Sequence, residues 1–178
     1  MSALRPLIPG IAAAVFLLLP AAPLPAANEA ATPREAQERH LANVRQLTSG
    51  GQNAEAYFSA DGKRIIFQAT RPPYECDQIF TMNLDGGDVR LLSTGAGRTT
   101  CSFFLPDGKR FVYASTHLAG DGCLPPPDRS QGYVWALYPE YDIFLGSLDG
   151  APPVRLTETG GYDAEAAVSP DGSRIVFT

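Results

Sequence analysis

Three copies of one nine-residue element, and two of another, predict an all-β chain built from β-propeller blades of four antiparallel strands. The first element occurs as Ser59–Phe67 (SADGKRIIF), Leu105–Tyr113 (LPDGKRFVY) and Ser169–Phe177 (SPDGSRIVF). The second, Gln78–Gly86 (QIFTMNLDG), returns as Asp142–Gly150 (DIFLGSLDG). Repetition at this spacing fixes architecture before any residue is read alone, because each copy marks one supersecondary unit. Gly62 and Gly108 stand 46 residues apart, close to the about 40–45 residues of a four-stranded blade.

Each Asp-Gly lies between two short apolar runs, the pattern of a tight hairpin. In the first blade this makes Ala56–Ser59 strand A and Arg64–Gln68 strand B. Gln78–Asn83 is strand C, Asp85–Gly87 its turn and Val89–Leu92 strand D; Ser102–Phe104 then begins the next strand A. Gly108 and Gly172 are 64 residues apart, so the second blade carries 18 more than the first. Asp61 to Gln78 spans 17 positions and Asp107 to Asp142 spans 35, which puts the whole excess in the second B–C connection. That insertion is Pro-rich at Leu124–Pro127 and then aromatic, with Tyr133, Trp135, Tyr138 and Tyr141.

The chain holds about two and a half blades, against about 4–8 in a closed propeller. An incomplete ring is therefore expected, as the N-terminal part of a longer protein. Val44–Thr48 matches the D-type strand Val154–Thr157; in a complete ring it would join the last blade and latch the circle, and these repeats supply no last blade. Ahead of the repeats, residues 1–27 read as an export signal: Arg5, an apolar core Ile11–Leu19, then a small-residue stretch to Ala27. The apolar core is too short to span a bilayer, so cleavage leaves no transmembrane segment. Residues 28–43 read as a short helical lead-in, with Pro33 suited to a first helical turn, and residues 44–178 as propeller repeats.

The repeat SPDG-x-RIVF, followed by DIF and a second Asp-Gly, resembles the TolB-type β-propeller repeat over Val44–Thr178. The stretches Arg71–Gln78 (RPPYECDQ) and Gly132–Pro139 (GYVWALYP) are similar to exported TolB-related proteins described as biopolymer transporter Tol-like. The resemblance implies a non-catalytic scaffold, periplasmic or otherwise exported, in the manner of the Tol-Pal envelope system. The alternative is the propeller of a prolyl-oligopeptidase-type serine hydrolase, whose catalytic domain would lie beyond residue 178.

With a net charge of -5, the chain lacks the basic face that phosphate binding requires, so no nucleic-acid partner is expected. It has no nucleophile elbow G-x-S-x-G, no H-E-x-x-H and no phosphate loop G-x-x-x-x-G-K. No cofactor is expected. Ser115 and His117 are near one another in sequence only. Gly95–Arg98 lacks the helix that a phosphate loop needs. Asp61, Asp107 and Asp171 are turn residues whose side chains bond their own backbone.

Aligning the copies on Asp-Gly makes Glu55, Cys101 and Glu165 equivalent, six residues before each turn. Asn53, Thr99 and Asp163 also align, as do Gly51, Gly97 and Gly161. Antiparallel alternation places these positions, with the B–C and D–A loops, on one face. The expected binding residues for a protein or small polar ligand are Asn53, Glu55, Arg98, His117, Trp135, Asp163 and Glu165. Glu55 and Glu165 have a structural alternative, accepting hydrogen bonds from backbone amides of the next blade. The aromatic insertion either clamps a ligand or folds as a lid on its own blade.

Cys76, Cys101 and Cys123 fall on the same face. Without a C-x-x-C pair they form no metal signature. In an oxidising compartment, three cysteines allow one disulfide and leave one thiol. Cys76–Cys101 is the expected pair, since regular strands fix both positions.

Overall fold

The computed structural model describes residues 40–178. The export signal and most of the helical lead-in lie outside the described residues. Its described remainder, 40–43, contains no helix. The compact unit Arg45–Thr178 carries every strand among the described residues.

Two four-stranded antiparallel sheets and a hairpin follow one another. The first comprises β1 (Gln52–Phe58), β2 (Arg64–Thr70), β3 (Gln78–Asn83) and β4 (Arg90–Leu91), paired in chain order. The second comprises β5 (Thr99–Phe104), β6 (Arg110–Ser115), β7 (Asp142–Ser147) and β8 (Val154–Arg155), in the same order. β9 (Ala167–Val168) and β10 (Ile175–Val176) pair as the start of a third. This is an incomplete β-propeller: two blades, part of another, and no closed ring among the described residues. The insertion lies between β6 and β7, within the second blade's B–C connection.

The Asp-Gly element folds alike in each copy. Gly62, Gly108 and Gly172 take φ of 66°, 65° and 71°, a left-handed corner that glycine adopts without steric cost. Their amides donate to the carbonyls of Ser59, Leu105 and Ser169. One carboxylate oxygen closes each turn: Asp61 accepts from Lys63 N–H, Asp107 from Lys109 N–H and Asp171 from Ser173 N–H. The Ser169 hydroxyl, with the Ser173 amide and hydroxyl, holds the Asp171 carboxyl down at about 2. These donors favour the ionised form.

The core lies between blades, because each strand has one side chain facing each neighbour. Ile66 and Ile79 of the first blade meet Phe104, Phe111, Tyr113 and Phe144 of the second. On its other face the second blade packs Val112 and Ile143 with Leu105 and Ala166. Equivalent seam bonds recur: Thr99 N–H donates to the Asp77 carbonyl at 2.9 Å, and Asp163 N–H to the Tyr141 carbonyl at 3.1 Å.

The segment that would latch a complete ring, Val44–Thr48, is not a strand here. The Arg45 guanidinium instead donates to the Leu84 carbonyl at 2.8 Å, and Leu47 packs on the Phe67, Phe80 and Met82 face of the first blade. A strand exists only beside a ladder partner, and among the described residues Arg45–Thr48 join none of the sheets.

Candidate functional site

The aligned triad gives the structure its most unusual backbone. Glu55, Cys101 and Glu165 take φ of 50°, 46° and 58°, in the left-handed region that non-glycine residues rarely occupy. A register slip between Ala54 and Tyr57 in β1 recurs between Thr100 and Phe103 in β5. Each slip is a β-bulge, a device that re-aims one side chain. The third copy takes the same backbone conformation.

The three side chains gather on one rim, close enough for the carboxylates of Glu55 and Glu165 to act on Cys101. The Tyr57 hydroxyl donates to Glu55 Oε2 at 2.8 Å. That bond, then burial, then the negative charges of Glu55, Cys101 and Glu165, push the Tyr57 hydroxyl up to about 12. Burial raises the Cys101 thiol, and the carboxylates of Glu55 and Glu165 raise it further. At neutral pH it is a protonated, half-buried thiol and a poor nucleophile. Tyr162 belongs to the same neighbourhood: burial raises its hydroxyl, the nearby Trp135 side chain lowers it, and Glu165 and Cys101 raise it.

Other expected residues serve the framework. Gln68, rather than a glutamate, accepts the neighbouring blade's amide: its Oε1 takes Cys101 N–H at 3.0 Å and the Thr100 hydroxyl at 3.1 Å. Arg98 pairs with Asp77 at 3.3 Å. Asn53 donates to the Gly50 carbonyl and accepts from Arg71. Asp163 is buried and accepts from the Thr159 hydroxyl. Glu55 and Glu165 are both solvent-exposed.

His117 and Ser115 do approach, with Nδ1 at 2.8 Å from Oγ. The contact is local: the Ser115 hydroxyl also accepts His117 N–H, and the imidazole packs at 4.3 Å on the Phe144 ring. Ser115 is buried, and Asp142, opposite it on β7, is paired with Arg155 at 2.7 Å. Burial lowers the His117 pKa.

The disulfide joins Cys76 to Cys123, with α-carbons 5.8 Å apart, and Cys101 is the free thiol. This corrects the expected Cys76–Cys101 pair. The left-handed backbone at Cys101 aims its sulfur at the rim carboxylates. Meanwhile Gly97 N–H, donating to the Asp121 carbonyl at 2.8 Å, brings the root of the insertion beside Cys76.

The opposite, hairpin face carries an open cleft of about 500 Å³ between the first two Asp-Gly turns. Its Arg64 is committed to Thr81, Asn83 and Asp88, which leaves the cleft only Lys109 as an unpaired cation among its lining residues. Tyr57, Gln68 and Tyr162 were missed by the residue reading. The equivalence of Glu55, Cys101 and Glu165 was the signal that leads to them.

No family model matches the chain. A TolB homolog from Chlorobium luteolum is 23% identical over 141 residues, which cover 67% of this chain and 32% of that protein. The crystal structure of TolB from Acinetobacter baumannii superposes with a TM-score of 0.53 at 26% identity, over 74% of this chain and 28% of that one. The fold is TolB-like. A structure described as TolB from Agrobacterium tumefaciens gives the same TM-score at 23% identity, over 74% of this chain and 45% of its own length. The chain spans about a third of the curated TolB relative. Among the described residues, no helix is long and apolar enough to cross a membrane.

Proposed function

We propose that this chain forms part of an exported, non-catalytic TolB-like scaffold that binds a protein partner on the rim face. The observation that carries the proposal is the left-handed triad. Strained backbone at three equivalent positions costs free energy in every blade, and it turns Glu55 and Glu165, both exposed, toward one shared rim. Trp135 and Tyr162 add large amphipathic surface beside them, the residue types that anchor interfaces. The opposite face repeats hairpins whose Asp side chains are bound by their own turns. Export, to the periplasm or an equivalent compartment, rests on the N-terminal signal and on the Cys76–Cys123 bond, which persists in oxidising surroundings.

The test is affinity capture from an envelope extract, followed by direct titration of the captured protein with purified variants. Glu165→Ala combined with Trp135→Ala weakens binding at least about tenfold, as expected when a central anchor is lost. Lys63→Ala combined with Lys109→Ala, on the hairpin face, leaves it unchanged. Loss of binding in the lysine variant, with normal binding in the rim variant, overturns the assignment.

A further inference from the structure

The insertion of the second blade is tied to the molecule at few points. Near its root, the Cys76–Cys123 bond crosses the seam between the first blade's B–C connection and the insertion. The Gly97 amide, bonded to the Asp121 carbonyl, reinforces that crossing. At the far end Tyr138 and Tyr141 pack with Ala114, Ala164 and Tyr162. Tyr138 also donates its hydroxyl to the Pro125 carbonyl. Between these anchors the chain forms no strand, and Tyr133, Trp135 and Leu137 are 78%, 56% and 65% exposed. Trp135 meets the rim through Tyr162. The large buried cluster of Phe104, Phe111, Tyr113 and Phe144 includes no residue of the insertion.

We propose that the Cys76–Cys123 bond is a releasable strap: closed, it holds the insertion and Trp135 against the rim, and its reduction by a dithiol frees the insertion while the blade stays folded. Cys123 is exposed and Cys76 half-buried, so the attack falls on the Cys123 sulfur. A thiolate of the reductant displaces Cys76 as the leaving thiolate and forms a mixed disulfide with Cys123. The second thiol of the reductant then releases Cys123. Two electrons and two protons pass to the protein, leaving two thiols, and the dithiol becomes a disulfide. The fold supplies the means for selective release, because the bond ties one loop to another and no strand to its sheet.

The experiment compares the oxidised chain with the same chain in excess dithiothreitol. Trypsin cleavage after Arg129, inside the insertion, accelerates about tenfold on reduction, since cleavage tracks the population of the open segment. Acrylamide quenching of Trp135, the single tryptophan of the chain, rises in parallel. Amide exchange in β6 and β7 stays unchanged. A variant carrying Cys76→Ser and Cys123→Ser behaves as the reduced protein with or without reductant. Equal Arg129 cleavage in both redox states overturns the strap, as does loss of β6 and β7 protection on reduction. These readouts need no partner, so they succeed or fail independently of the binding role.

Discussion

Phe58 in the first blade and Phe104 in the second occupy the same position of the repeat, yet Phe58 is 67% exposed and Phe104 3%. The same contrast runs along both strands. Every residue of β1 is exposed, whereas β5 is buried or half-buried throughout. The two strands share their hairpin, their register slip and their left-handed residue. β5 differs in lying between β1 and β2 on one side and β9 on the other. The repeat thus dictates backbone shape, and the neighbouring blade dictates how much that shape is worth.

The sharpest way to break this comparison is truncation at the shared position. Phe104→Ala costs about 3–5 kcal/mol, the usual loss for a buried aromatic. Phe58→Ala costs less than about 0.5 kcal/mol, as at other exposed sites. Urea unfolding of the two variants of this chain measures both. Equal losses would mean that the inner strand is stabilised within its own sheet.

A smaller effect separates the blade seams. At Gly97, φ is +62° and an added Cβ would sit 2.7 Å from the His117 amide nitrogen. Gly161, its equivalent, has φ of +138° and nothing within 4 Å. Gly97→Ala therefore costs about 2–4 kcal/mol, combining left-handed strain with a backbone clash. Gly161→Ala costs about 1 kcal/mol, from conformation alone. Thermal unfolding ranks them, and a costlier Gly161 variant would place the tight seam at the wrong blade.

The smallest effect concerns Tyr57, which stands where the second blade has Phe103. Its hydroxyl titrates at about 12 instead of 10.0, chiefly through its bond to Glu55. Because the folded value is raised, the stabilisation is complete below about pH 10 and is lost as pH climbs toward 12. Carbon-13 NMR of the tyrosine ring follows the titration directly. Glu55→Ala brings Tyr57 back toward 10, and an unmoved titration would leave burial as the cause.

Sequence alone revealed the blades, the insertion and the equivalence of Glu55, Cys101 and Glu165, because each depends on local chemistry repeated at fixed spacing. Asp61, Asp107 and Asp171 announce their turns through bonds to residues two positions on. The left-handed backbone at the triad stayed hidden, since glycine or asparagine normally marks such a corner and here Glu and Cys occupy it. Val44–Thr48 shows the opposite case. Its likeness to Val154–Thr157 is real, but a strand is a relation between segments, and composition does not supply the partner. The cysteine pairing depended on where the insertion returns in space. Tyr162 escaped notice because its surroundings, Tyr141 and the nearby Trp135, come from the distant insertion.

The left-handed residue at the entry to each inner strand has a consequence for how the protein can change. It sets one side chain per blade apart from both the sheet and the seam, while Gln68, Asp77 and the Asp-Gly turns carry the structural duties around it. The occupant is then free to vary: glutamate, cysteine and glutamate already fill it. The ring's inner rim is thus an alphabet of single letters, one contributed by each repeat. Duplication of a blade adds a letter, and a point mutation rewrites one without disturbing the page on which it is set.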